Sequence, residues 1–158
     1  MSNLASNFIK KCIEKNIKVN IAESCTGGLI SSRLVSINNA SKVLDFSFVS
    51  YSNNSKNKLL NVPNSLIKKF GAVSEEVAKS MVENLSSYKN INLSLAVTGI
   101  AGPKGGSLDK PVGLVYHSFF IKPEKKILVI KKFYKGNRNE IISSATDFTL
   151  LQAAKLII

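Results

Sequence analysis

Three short stretches of small, polar and glycine residues, each following directly on an apolar run, restrict the folds open to this chain more than any other feature. Glu23 to Gly28 follows Lys18 to Ala22, Tyr51 to Lys56 follows the alternating Leu44, Phe46 and Phe48, and Thr98 to Gly106 follows Leu93 to Val97. The alternation and the short apolar runs predict β-strands, and the polar and glycine-rich stretches predict loops at their carboxyl ends. Between them, apolar residues recur at helical spacing: Leu4, Phe8, Ile9, Cys12 and Ile13, then Ile30, Leu34 and Val35, then Val77, Met81, Val82 and Leu85 behind a capping Ser74. Pro63 opens a short helix that Gly71 closes. Val112 to Ile121 and Ile127 to Tyr134 predict a hairpin through Pro123 and Glu124. Asn137 with Glu140 predicts a capped last helix whose Ile141, Ile142, Ala145, Phe148, Leu151 and Leu156 form its apolar stripe.

Alternating strands and helices followed by a hairpin predict an α/β fold, a three-layer α/β/α sandwich with a mixed β-sheet. At 158 residues the expectation is a single domain over residues 1–158. In open sheets of this kind the ligand crevice lies at strand carboxyl ends, where all three unusual stretches fall.

Composition removes several classes of function. The chain carries 22 basic and 10 acidic side chains, a net +12, which attracts phosphate-bearing partners of any kind. Twenty of the 22 are lysines and only Arg33 and Arg138 are arginines, in a chain that also holds sixteen asparagines. Nucleic-acid readers favour the bidentate guanidinium, and the lysine pairs here are scattered without aromatic residues between them, so no specific nucleic-acid partner is expected. Cys12 and Cys25 have no CxxC spacing and His117 is the lone histidine, so neither a metal site nor a cofactor is expected. Nowhere do 18 apolar residues run together, so neither a signal peptide nor a membrane contact is expected, and a cytoplasmic protein with reduced thiols is.

A loop of small residues opening a helix presents backbone N–H groups and the positive end of the helix dipole, which suits a phosphate, a carboxylate or a developing oxyanion. Ser24, Cys25, Thr26, Gly27 and Gly28 occupy that position, although a tight turn with Ser24 or Thr26 as cap explains the same residues. For hydrolysis a serine needs a base, and His117, lying mid-strand between Tyr116 and Ser118, reads as a satisfied core histidine. Lysine can serve when burial lowers its pKa, and Lys56 lies just past a strand end, so Ser24 with Lys56 is the leading pair and Cys25 the second nucleophile. Glu23 is placed to orient a lysine or a substrate amide. Arg138, in a chain that otherwise uses lysine, offers a planar fork for a phosphate.

The block Ala22-Glu23-Ser24-Cys25-Thr26-Gly27-Gly28 resembles the signature of the CinA carboxyl-terminal domain family, whose enzymatic members are the PncC-type nicotinamide-nucleotide amidases. Tyr51-Ser52-Asn53 with Lys56, Gly71-Ala72-Val73-Ser74, Gly99-Ile100-Ala101-Gly102-Pro103 with Gly105-Gly106, and Pro111-Val112-Gly113 follow in the family's order. The resemblance implies an amidase in its stand-alone form, hydrolysing the carboxamide of nicotinamide mononucleotide to nicotinic acid mononucleotide and ammonia in pyridine nucleotide salvage. It implies Ser24 as nucleophile and Lys56 as base, and adds Glu23, Tyr51, Thr98 and Arg138 to the site. Thr98, with Gly99, Gly102 and the rest of the loop to Gly106, would help Arg138 hold the ribose and phosphate. Where family members often have Gly-Asp-Arg, this chain has Gly136-Asn137-Arg138, which would leave Arg138 less firmly oriented. The rival expectation is a non-catalytic, competence-associated module that binds nucleotide without turnover. A homo-oligomer is also expected, with the terminal Leu156-Ile157-Ile158 as exposed apolar residues for its interface.

Overall fold

Five strands form one sheet in the order β2-β1-β3-β4-β5, seen in a computed structural model that describes residues 2–157. The strands are β1 (Val19–Glu23), β2 (Leu44–Val49), β3 (Leu93–Gly99), β4 (Leu114–Ile121) and β5 (Lys126–Phe133). The helices are α1 (Ser2–Glu14), α2 (Leu29–Val35), α3 (Asn53–Leu60), α4 (Asn64–Phe70), α5 (Glu75–Ser86) and α6 (Arg138–Leu156), with a 3-10 turn at Ala40–Lys42. β1 pairs in parallel with both β2 and β3, whereas β4 runs antiparallel to β3 and β5 to β4, so the sheet is mixed. α1, α2 and α6 contact one another, as do α3, α4 and α5, and these two groups form the outer layers of an α/β/α sandwich.

Each face of the sheet has its own core. Phe8, Ile9, Cys12, Ile30, Leu34 and Ile141 pack over Ile21, Leu95, Val97 and Phe119 on one side. Leu60, Val62, Ile67, Val77, Met81 and Leu85 pack over Ala22 and Ala96 on the other. Helices of seven residues such as α2 and α4 are too short to persist alone. Burial of Ile30 and Leu34 in α2 and of Ile67 in α4 supplies about 2 kcal/mol per side chain, and this packing is what holds them. Because β1 lies between β2 and β3 and these two neighbours are reached in opposite directions, the strand order reverses beside it, and a crevice opens at the carboxyl ends of β1 and β3.

Four local readings change. Tyr51 to Lys56 is a loop only as far as Ser52, and Lys56 rides on α3. Ser52 and Ser55 cap each other's backbone N–H groups at its start, a box built from two serines where the usual third residue is Glu or Gln, and Leu59 and Leu60 are its sole large apolar residues. The third stretch begins later than expected, since Thr98 and Gly99 still pair with Tyr116 and Val115. On α6 the buried face uses Thr146, Thr149, Leu150, Ala153 and Ala154, while Leu151 points outward. The two threonines donate to Ile142 O and Ala145 O on their own helix, so their methyl sides pack as apolar surface. Finally, Ile157 is buried in the first core and Leu156 packs partly against it, so neither is the free apolar surface expected for an interface; Ile158 lies outside the described residues.

Loss of the α3 cap is measurable. Ser52→Ala should cost about 1 kcal/mol in chemical denaturation, and Ser52→Asp should recover most of it.

Candidate active site

β1 ends on Glu23, which is fully buried, and its carboxylate organises everything that follows it. Oε2 accepts from Thr26 Oγ1 at 2.7 Å and from the Gly28 and Ile30 N–H groups at 3.0 Å each. Oε1 accepts from the Ser31 N–H at 2.8 Å and its hydroxyl at 2.7 Å. Five neutral donors around one charge, three of them amides at the start of α2, make this a clamp on the loop. Glu23 thus touches neither Lys56 nor the cleft. Gly27 and Gly28 take φ of 59° and 98°, a left-handed pair that turns the chain from strand into helix.

Ser24 sits at the head of that turn. Its N–H donates to Val97 O at 3.1 Å and its carbonyl accepts from the Gly27 N–H at 3.1 Å, so the residue is fixed between β1 and β3. Lys56 reaches it from α3: Nζ lies 2.8 Å from Ser24 Oγ and 2.9 Å from Ser50 O. Only 1% of Lys56 is exposed, and burial lowers its pKa from 10.5 to about 8. A neutral amine has two hydrogens and one lone pair, so it can donate to Ser50 O while accepting the Ser24 hydroxyl proton.

Ser24 opens onto a cleft of about 230 Å³ lined by Ser24, Cys25, Tyr51, Gly99, Gly102 and Arg138 among others, Lys104 included. Arg138 spans its mouth, donating to Gly102 O at 2.7 Å and to Tyr51 Oη at 2.6 Å. Asn137 does not orient it. That residue caps α6, accepting from the Glu140 N–H at 3.1 Å, which is the service an aspartate would render there. At Gly99 a side chain has no room, because a Cβ would stand 2.7 Å from Val115 Cγ2 and 3.1 Å from Cys25 Sγ. The Cys25 thiol is buried and pushed up to about 12, chiefly by desolvation, so it is protonated at neutral pH and a poor nucleophile.

Of the residues singled out from the sequence, Ser24, Lys56, Cys25, Tyr51, Gly99, Gly102 and Arg138 come together. Glu23, Thr26, Gly27, Gly28 and Thr98 serve the frame behind them. The Thr98 hydroxyl points away, donating to Ala72 O at 2.9 Å on the α5 side. Ser50 and Lys104 escaped the sequence reading: the first acts through a backbone carbonyl, which leaves no sequence signal, and the second is one lysine among twenty. His117 is a buried core histidine. Thr149 spends its hydroxyl proton on Ala145 O, so its oxygen accepts from His117 Nδ1–H at 2.9 Å, and Nε2 accepts from the Tyr134 hydroxyl at 3.0 Å. Burial takes its pKa down to about 3, which leaves it neutral, and its two ring nitrogens are bonded to Thr149 and Tyr134 rather than to Ser24. A larger hollow of about 530 Å³ beside β2 is lined by Val35, Leu44, Asp45 and Phe46, and neither Ser24 nor Lys56 lines it.

The family model for the CinA C-terminal domain matches residues 1–157. This chain belongs to that family. A CinA-like protein of Prochlorococcus marinus subsp. pastoris (strain CCMP1986 / NIES-2087 / MED4) is 50% identical over 139 residues, covering 88% of this chain and 32% of the relative. One from Dictyoglomus turgidum is 41% identical over 155 residues, 98% of this chain and 38% of the relative. The chain therefore spans about a third of the length of the curated relatives it matches. Among solved structures, the competence/damage inducible protein CihA of Agrobacterium tumefaciens superposes with a TM-score of 0.93 at 36% identity, over 98% of this chain and 94% of that one. A CinA superfamily protein of Escherichia coli gives 0.92 at 30% identity, over 98% and 89%. The mixed five-stranded sandwich is the CinA fold. Among the described residues, no helix is long and apolar enough to cross a membrane.

The buried lysine gives a pH signature to stability. Below pH 8 the folded and unfolded chains both carry the Lys56 proton, and the folded state bears the whole cost of an ammonium in a dry site, about 3 kcal/mol. Between pH 8 and 10.5 the unfolded chain holds a proton the folded one has released, so stability rises with pH. Denaturation of wild type and Lys56→Met as a function of pH should show wild type gaining on the variant across that window, and parallel curves would contradict the shift.

Proposed function

We propose that this CinA-family chain is an amidohydrolase acting on the carboxamide of nicotinamide mononucleotide, releasing nicotinic acid mononucleotide and ammonia. The observation that carries the reading is the 2.8 Å contact between Lys56 Nζ and Ser24 Oγ at the floor of a cationic cleft. Ser24 Oγ attacks the amide carbon while neutral Lys56 takes its proton. The oxyanion that forms needs N–H donors. Gly27 N–H is committed to Ser24 O and Gly28 N–H to Glu23, which leaves that task to the amides of Cys25 and Thr26. The Lys56 ammonium then protonates the departing nitrogen, ammonia leaves, and an acyl-serine remains. Water attacks the ester, Lys56 again takes the proton, and its return to Ser24 Oγ frees the acid product.

Burial of the base supports turnover over mere binding. A lysine held in a dry site for structural reasons alone costs stability at neutral pH, and here its pKa lies near the working range of a general base. Tyr51 and Gly102 hold Arg138 through uncharged acceptors, so its positive charge stays available to a phosphate. A module that binds nucleotide without turnover would need the cleft and Arg138 but not the pairing of Lys56 with Ser24.

Purified chain given nicotinamide mononucleotide should release equal amounts of ammonia and acid, and Ser24→Ala should lose at least a thousandfold in kcat. The kcat against pH profile should rise with a midpoint near 8, as Lys56 loses its proton, and level off above it. Tight nucleotide binding with no ammonia from the wild type would favour the binding module.

A further inference from the structure

We infer that Lys104 selects substrates ending in a dianionic phosphate, acting as a second cation beside Arg138 at the mouth of the cleft. The inference rests on the amidase reading for the nature of the substrate, and its observations concern charge. No aspartate or glutamate lines the cleft, whereas Arg138 and Lys104 both do, and Lys56 stands at its floor. Arg138 is fixed by two uncharged acceptors, which use two of the five N–H groups of its guanidinium. Lys104 is exposed, and neither of the ion pairs among the described residues, Lys10 with Glu14 and Arg33 with Asp147, involves it. Among the described residues, its ammonium makes neither a side-chain hydrogen bond nor an ion pair that would give it a part in folding.

The two cations differ in a useful way. Arg138 is restrained and sets where a phosphate sits relative to Tyr51 and Gly102. Lys104 is a compact charge on a flexible stem, carried between Gly102 and Gly105, whose φ of 77° and 92° shape the loop toward the cleft. With the amide fixed at Ser24, the buried end, the far end of the substrate meets these two charges. A phosphate dianion engages both, while a nucleoside, which lacks the phosphate and keeps only the positive charge of its pyridinium ring, gains nothing from them. Lys104 therefore raises affinity for the nucleotide alone, and specificity between nucleotide and nucleoside follows as a difference in binding.

The test compares wild type, Lys104→Met, Lys104→Arg and, as a net-charge control on α6 outside the cleft, Lys155→Met. Each is assayed with nicotinamide mononucleotide and nicotinamide riboside, and titrated calorimetrically with nicotinic acid mononucleotide. Lys104→Met should raise KM for the nucleotide about fivefold with kcat unchanged and no rise in KM for the riboside, Lys104→Arg should restore it, and Lys155→Met should leave it alone. An unchanged KM in Lys104→Met, or an equal rise with the riboside or in Lys155→Met, overturns the proposal. If wild type releases no ammonia, the amidase reading falls by itself and the titration decides. Weaker nucleotide binding in Lys104→Met alone sustains the role of Lys104, and equal or absent binding overturns it.

Discussion

One buried carboxylate that makes no ion pair among the described residues holds the site in place. Glu23 is wholly enclosed at the end of β1, and its charge is met by five neutral donors drawn from the loop and first turn of α2. An unpaired buried charge is costly, so every one of those donors is needed and none is free to drift. The Ser24 position is a by-product of this satisfaction. With the residue before it and the helix after it both fixed, the serine can only stand at the turn between β1 and β3.

Lys56 poses the opposite problem, a charge the interior accommodates poorly. Its two acceptors suit an amine better than an ammonium, and the folded state is weakened at neutral pH to keep it there. This is a local conflict between stability and chemistry of the kind that marks functional positions. Cys25, beside it, shows the same burial with the contrary result, because a thiol is stabilised in its neutral and unreactive form.

The layers, the succession of strands and helices along the chain and the capped helices α5 and α6 were legible because period and punctuation agreed: Ser74 before Val77, Asn137 before Glu140, Gly71 after Phe70. α3 was not, since its helix rests on a pair of serines and its inward residue at the first turn is a lysine, which any hydropathy pattern assigns to solvent. Within the site, residue types pointed to Ser24, Lys56 and Arg138, while the division between cleft and frame was hidden. Thr98, near the end of β3, and Ser24, just past β1, lie at the same end of the sheet, yet side chains alternate across a strand, and only the pairing register tells which face each one takes.

The bridge made by Arg138 has a consequence for how the site comes into being. Ser24 and Lys56 both precede β3 in the chain, but the guanidinium that spans the mouth belongs to the first residue of α6. During synthesis both partners of the Ser24–Lys56 contact are made before β3, whose Val97 carbonyl fixes Ser24, and well before the element that frames the entrance. The cleft is thus complete only when α6 docks and completes the outer layer.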